Sequence, residues 1–233
     1  MIFVQDDSHH ITDISLLRLM QLVSPGLPVG AYAYSQGLEY AVAAGTVRDE
    51  LTVQHWICGV MEHSICRLDV PILMRLYAAW HAADNEAVEF WSAFLHACRE
   101  SAELQAEDRH LGAALSRLLV SLDIADAKTW ISHPHSSFAT AFSLAAVRWN
   151  IPIRTLAMGY VWTWLENQVA AALKLISLGQ TAGQRNLSHA IGQMPAWVEK
   201  GMVSCDEEIG VFAPMTGIFS ALHETQYSRL FRS

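Results

Sequence analysis

The sequence predicts an all-α protein, a single compact bundle of about eight to ten helices spanning residues 1–233. Apolar residues recur at helical spacing in almost every segment, and alternating runs of β-branched residues, the mark of half-buried strands, are few. Glycine and proline punctuate short connections, and no composition shift of domain size divides the chain.

A first helix places Leu16, Leu19, Met20 and Val23 on one face and ends before Pro25. A loop rich in proline and glycine comes next, and a short second helix runs from about Ser35 to Ala44 with Gly45 as its carboxyl-terminal cap. Asp49 or Glu50 opens a third helix with Val53, Trp56, Ile57, Val60 and Met61 on one face; Pro71 then marks a break and a restart over Ile72 to Ala82. Asp84 and Asn85 offer caps for a longer helix through Phe90, Phe94 and Leu95 toward Leu104, with a continuation to Leu122. The polar stretch Arg99 to Arg109 mixes signs at helical spacing, which favours a solvated helix face over the lining of a polar channel.

Asp123 to Pro134 reads as a connection, after which Ser136 or Ser137 caps a helix that ends near Asn150, before Pro152. Ile153 to Leu178 is the central helix, stopped by Gly179, and Thr181 and Gln184 have the spacing of a capping box for a helix to about Met194. Pro195, Gly201, Gly210 and Pro214 cut the next stretch of chain into short pieces, and a last helix begins after Pro214 and runs toward Tyr227.

Charged residues make up only 16% of the chain, and a surface so short of charge points to interfaces with other subunits. The net charge of −8 argues against sequence-independent binding to nucleic acid or to an anionic membrane. Residues 1–10, read as a short mobile segment, lack the basic start and apolar stretch of a secretion signal, so a cytoplasmic protein is expected. Arg154, Glu166 and Lys174 interrupt the most apolar long segment, which is therefore a buried amphipathic helix and not a membrane span. Cys58, Cys66, Cys98 and Cys205 form no Cys-x-x-Cys pair and suit reduced thiols.

No catalytic constellation emerges. Gly30 to Gly37 lacks the Lys-Ser/Thr ending and preceding strand of a phosphate-binding loop, and no Gly-x-Ser-x-Gly elbow occurs. His133-Pro-His135, His9-His10 and the His55/His63 pair invite a metal reading, yet none has a nearby acidic or cysteine cluster to complete a ligand set. No tightly bound cofactor or stable metal site is expected. The alternative is a helical metal-dependent enzyme using His133, His135 and distant carboxylates.

Two segments stand out as contact elements. In Ser24 to Glu39, Pro25, Pro28, Gly26, Gly30 and Gly37 specify a rigid loop around Tyr32 and Tyr34, suited either to buttressing the core or to meeting a partner. At the other end, His223 to Ser233 gathers Tyr227, Arg229, Leu230, Phe231 and Arg232, residue types favoured at binding hot spots.

These segments resemble the urease accessory protein F (UreF) family, helper proteins in the nickel-dependent maturation of urease. The resemblance rests on Leu19 to Glu39, on Leu178-Gly-Gln-Thr-Ala-Gly-Gln184, and on Ala213-Pro214 through the Arg229-Leu-Phe-Arg-Ser233 end, with Glu100, Glu103, Glu107 and Arg109 in the central stretch also matching. Ser177 departs from it, standing where proline is expected.

The resemblance implies a protein without enzymatic activity of its own. It would dimerise, link the accessory protein UreD (also called UreH) to the GTPase UreG, regulate GTP hydrolysis and nickel release, and so deliver nickel to apo-urease, handling the metal only transiently. The partner-binding residues it implies are Tyr32, Tyr34, Gln36, Gly37 and Glu39 in the loop, Lys174, Gln180, Gln184 and Arg185 at the helical corner, and His223, Glu224, Tyr227, Ser228, Arg229, Leu230, Phe231, Arg232 and Ser233 in the tail, about residues 224–233. Glu39 would also touch nickel in passing, and the tail would order when UreD/UreH binds.

Overall fold

The computed structural model describes residues 11–210 and 213–233, and the expectations for residues 1–10, His9-His10 included, lie outside them. Ten α-helices and no strand occur among the described residues, so the all-α expectation holds. They are α1 (Asp13–Leu22), α2 (Leu38–Ala43), α3 (Glu50–Val60), α4 (Val70–His81), α5 (Asn85–Ala97), α6 (Ala102–Ser121), α7 (Phe138–Arg148), α8 (Ile153–Leu175), α9 (Gln180–Met202) and α10 (Pro214–His223). No described helix is long and apolar enough to cross a membrane.

Side-chain caps set several starts. Thr12, Asp49, Asp84, Ser101 and Ser137 each accept a hydrogen bond from a backbone N–H in the first turn of the next helix. Ser101 is the reason that the long helix expected from Asn85 onward is two: α5 stops at Ala97 and α6 restarts behind its own cap. α2 begins at Leu38 and not near Ser35, because Gln36 and Gly37 both hold positive φ and keep the helix from starting earlier. The Thr181/Gln184 capping box does not form; α9 starts at Gln180 behind Gly179, which places Thr181 inside the first turn.

Two of the prolines expected to break the helical pattern, Pro71 and Pro195, do not. A π-helical stretch, Met61–Asp69, joins α3 to α4 without interruption, and Val70 N–H donates to the Ile65 carbonyl five residues back. Pro71, which has no N–H to donate, falls at the junction of the π stretch and α4 and is tolerated there without a break in the helix. Pro195 lies inside α9, which continues to Met202 because its flanking turns bury Ala190, Met194, Val198 and Gly201.

The carboxyl-terminal end of α9 lies against the π stretch so closely that a Cβ on Gly201 would stand 2.1 Å from the Cys66 carbonyl oxygen. Gly201→Ala is therefore expected to destabilise the fold by about 1–3 kcal/mol, because backbone must move on one side or the other. Urea unfolding checks this, and a midpoint equal to the wild type's would contradict it.

α8 runs through the core, with Leu156, Val161, Leu165 and Val169 buried along it. α1 rests on it through Leu19 and Val23, which pack at Gly159, while Leu16 and Met20 of the expected face are exposed. Ser15 and Leu22 are buried instead, and Ser15 Oγ donates to the Trp149 carbonyl (3.0 Å). α10 lies on α2 and α3, its Phe219 ring stacked on Trp56 at 5.7 Å and tilted against Tyr40. Gly37 permits this: a Cβ there would stand 2.9 Å from the Ser220 backbone nitrogen.

Candidate partner-binding site at the carboxyl-terminal tail

The tail after α10 folds back onto the loop before α2. Arg232 N–H donates to the Ala33 carbonyl and Ser35 N–H to the Ser233 carbonyl, both at 2.8 Å, so tail and loop are joined through their backbones. Ser35 Oγ donates to the same Ser233 oxygen (2.5 Å). Phe231 is buried, and Lys174 at the end of α8 lies over its ring at 5.5 Å.

Glu39 is the centre of the seat. It occupies the first turn of α2, is only 7% exposed, and receives the Leu230 N–H on Oε1 (2.7 Å) and the Phe231 N–H on Oε2 (2.8 Å). His223, fully buried at the end of α10, places Nε2 at 3.1 Å from Glu39 Oε2 and Nδ1 at 2.8 Å from Glu103 Oε2. Arg229 donates to Glu103 Oε1 (2.8 Å), closing a chain of polar contacts from α2 through α10 and α6 to the tail. Glu224 accepts from Ala102 N–H (3.0 Å) and so sits at the positive amino terminus of α6.

One helical turn along α6, Glu107 holds the last residue. Ser233 Oγ donates to its Oε2 (2.9 Å) and Gln36 Nε2 to its Oε1 (2.8 Å), while Trp164 Nε1 of α8 donates to Gln36 Oε1 (2.7 Å). Burial pushes the Glu107 carboxyl up to about 7, opposed by the Gln36 and Ser233 donors and reinforced by the neighbouring Asp108 charge.

Because that folded value exceeds the ordinary 4.5, the folded state holds the proton where the unfolded chain has lost it. The Glu107 contribution to stability is therefore fully present below the ordinary value and declines, by up to about 1.4 kcal/mol per pH unit, as pH rises toward 7. Unfolding titrations of wild type and Glu107→Gln should converge in pH dependence above that range and diverge within it; parallel curves throughout would contradict the assignment.

Beneath this seat lies a cavity of about 90 Å³, bordered by Gln36, Asp69, Arg99, Glu107, Asp108 and Tyr160 among others. Arg99 forks Asp69 (2.6 and 3.1 Å) and donates to Asp108 Oδ2 (3.0 Å), and Tyr160 Oη donates to Asp69 Oδ1 (2.8 Å). Burial alone would lower the Arg99 pKa, but the Asp69 and Asp108 charges outweigh it and hold the guanidinium well above its ordinary value. The Tyr160 phenol is pushed up by burial and by Asp69. Asp108 Oδ1 accepts from the Phe138 N–H, which fixes the start of α7.

Comparison with known proteins decides what carries this seat. Residues 47–191 match the family described as UreF. A urease accessory protein UreF from Alkalilimnicola ehrlichii is 50% identical, over 93% of this chain and 95% of its own length. Its counterpart from Teredinibacter turnerae is 52% identical over 94% of this chain and 98% of its own, and that from Psychrobacter cryohalolentis 43% identical over 99% of each. The chain belongs to the UreF family.

In this UreF-family chain the structure gathers part of the expected residue set. Tyr34, Gln36, Gly37, Glu39, Lys174, His223, Arg229, Phe231, Arg232 and Ser233 converge on the tail and its seat. Tyr34 is buried with its hydroxyl 3.1 Å from His110 Nδ1, and burial raises its pKa. Tyr32 is 70% exposed, and Tyr227, Ser228 and Leu230 also face solvent. Gln180, Gln184 and Arg185 lie on exposed positions of α9, and Arg185 there pairs with Glu50 of α3.

The expectation of a solvated Arg99 to Arg109 face is corrected: Arg99, Glu107 and Asp108 point inward, because each finds its partners on other elements. Glu103 and Glu107, four residues apart on α6, are the seat residues that sequence reasoning passed over as binding groups. Their shared helical face was the available signal. Asp69 and Tyr160 gave none, since their pairing joins distant segments. His133 and His135 occupy a turn where His135 N–H donates to His133 Nδ1 (3.2 Å) and the Trp130 ring lies tilted against the His133 ring. Among the described residues, no three His, Cys, Asp or Glu side chains are grouped to hold one metal ion.

Proposed function

We propose that this chain is a non-catalytic adaptor in the maturation of the urease nickel centre. It would join UreD/UreH to the GTPase UreG as a homodimer in the cytoplasm, regulating GTP hydrolysis and nickel release to apo-urease. The carrying observation is the likeness to UreF proteins over nearly the whole length of each. The tail seat supports it, since a segment held mainly by polar bonds can exchange its own seat for a partner. Glu39 acts as the anchor of the tail, because both its oxygens are engaged by tail amides, and any contact with nickel would require the tail to leave.

Pull-down of UreD/UreH and UreG, with and without GTP, tests the proposal. The full chain is expected to retain both partners, and a chain lacking Ser228 to Ser233 to lose UreD/UreH by at least tenfold. Equal recovery of UreD/UreH by both chains would overturn it.

A further inference from the structure

A second feature of the tail is the cleft it completes. Val29, Gly30, Tyr32, Ala33 and Tyr34 of the loop, His110, Ala113, Ala114 and Arg117 of α6, and Arg232 of the tail border a cleft of about 350 Å³ that opens to solvent. His110, Ala113, Ala114 and Arg117 share one face of α6, with the two alanines forming a low floor between longer side chains.

The charge of this cleft runs against that of the chain, whose net charge is −8. Elsewhere Arg75, Arg148, Arg154, Arg185 and Arg229 each hold a carboxylate. Among the described residues, Arg117 and Arg232 have no carboxylate within ion-pair distance, although both are exposed and border the same cleft. Glu107, whose carboxylate acts on Tyr34, is turned inward to Gln36 and Ser233. Lys174 lies over the exposed Tyr32 ring at 5.8 Å and adds a further positive charge at the rim.

We propose that the cleft receives an acidic segment of a partner protein, with an Asp or Glu carboxylate held by Arg117 and Arg232 and the Tyr32 ring covering the adjoining chain. Paired guanidiniums match a carboxylate in geometry and charge, and an aromatic wall over a small-residue floor suits an extended peptide. A long polyanion such as nucleic acid would meet the repulsion of a chain whose net charge is −8. Arg232 is placed by its own backbone bond to Ala33 and by the burial of Phe231, so the cleft exists only while the tail is seated. This inference rests on the adaptor reading for the partner's being a protein.

Fluorescence anisotropy of the full chain with a fluorescein-labelled glutamate decapeptide at 50 mM NaCl tests it, with inorganic phosphate and single-stranded DNA as competitors. Arg117→Gln and Arg232→Gln are each expected to weaken peptide binding at least fivefold, and Glu39→Ala to do the same by unseating Arg232. Arg148→Gln, remote from the cleft, should bind as the wild type does. The proposal is overturned if the peptide does not bind, if Arg117→Gln binds it equally, or if phosphate or DNA displaces it at lower concentration than unlabelled peptide. Failure here with a tail-dependent pull-down intact removes the cleft alone; loss of tail dependence with peptide binding intact removes the adaptor reading alone.

Discussion

Replacing Glu39 by alanine is expected to free the tail while leaving the helical bundle folded. The substitution removes the acceptor of two backbone N–H groups and one of the two carboxylates that flank His223. Charge-assisted bonds of this kind contribute about 1.5–3 kcal/mol each, so tail seating should weaken by roughly 3–5 kcal/mol. Hydrogen exchange at the Leu230 and Phe231 amides should accelerate by about a hundredfold or more, with circular dichroism unchanged. Unchanged protection of both amides would show that the backbone bonds to Ala33 and Ser35 suffice. Glu39→Gln retains oxygen for only one of the two amides and should fall between.

The second large effect belongs to Asp108. Alanine there deprives Arg99 of one of its two carboxylates and leaves the Phe138 N–H without its acceptor, all within the core. Breaking a buried ion pair from one side costs about 3–5 kcal/mol, a large fraction of the 5–15 kcal/mol that holds an ordinary domain together. Urea unfolding should show this loss with an unchanged slope, and a loss below about 1 kcal/mol would mean that Asp69 alone satisfies Arg99. Asp108→Asn keeps an acceptor for Phe138 and should lose less.

The fold was legible where local chemistry decides it. Asp49, Asp84 and Ser137 cap the helices that their positions predicted, and apolar periodicity located most of the helices. Prolines misled because a proline breaks a helix only where its missing N–H and its ring are uncompensated. The π stretch before Pro71 and the buried turns around Pro195 supply that compensation from tertiary structure. The Arg99 to Arg109 stretch misled for the opposite reason: mixed charge at helical spacing looks the same whether its partners are water or Asp69, Gln36 and Ser233. The site was legible as two segments, the loop and the tail, but not as one seat. Glu39 reads as an exposed contact residue until the distant tail amides are found on its oxygens, and no local pattern announces a contact across almost the whole chain.

The account turns on the tail serving urease maturation, and the nickel content of the urease produced tests that most directly. Urease purified from cells whose only UreF-family protein is this chain without Ser228 to Ser233 should carry less than about a tenth of the nickel of urease from cells with the full chain. Nickel at the level given by the full chain would contradict it.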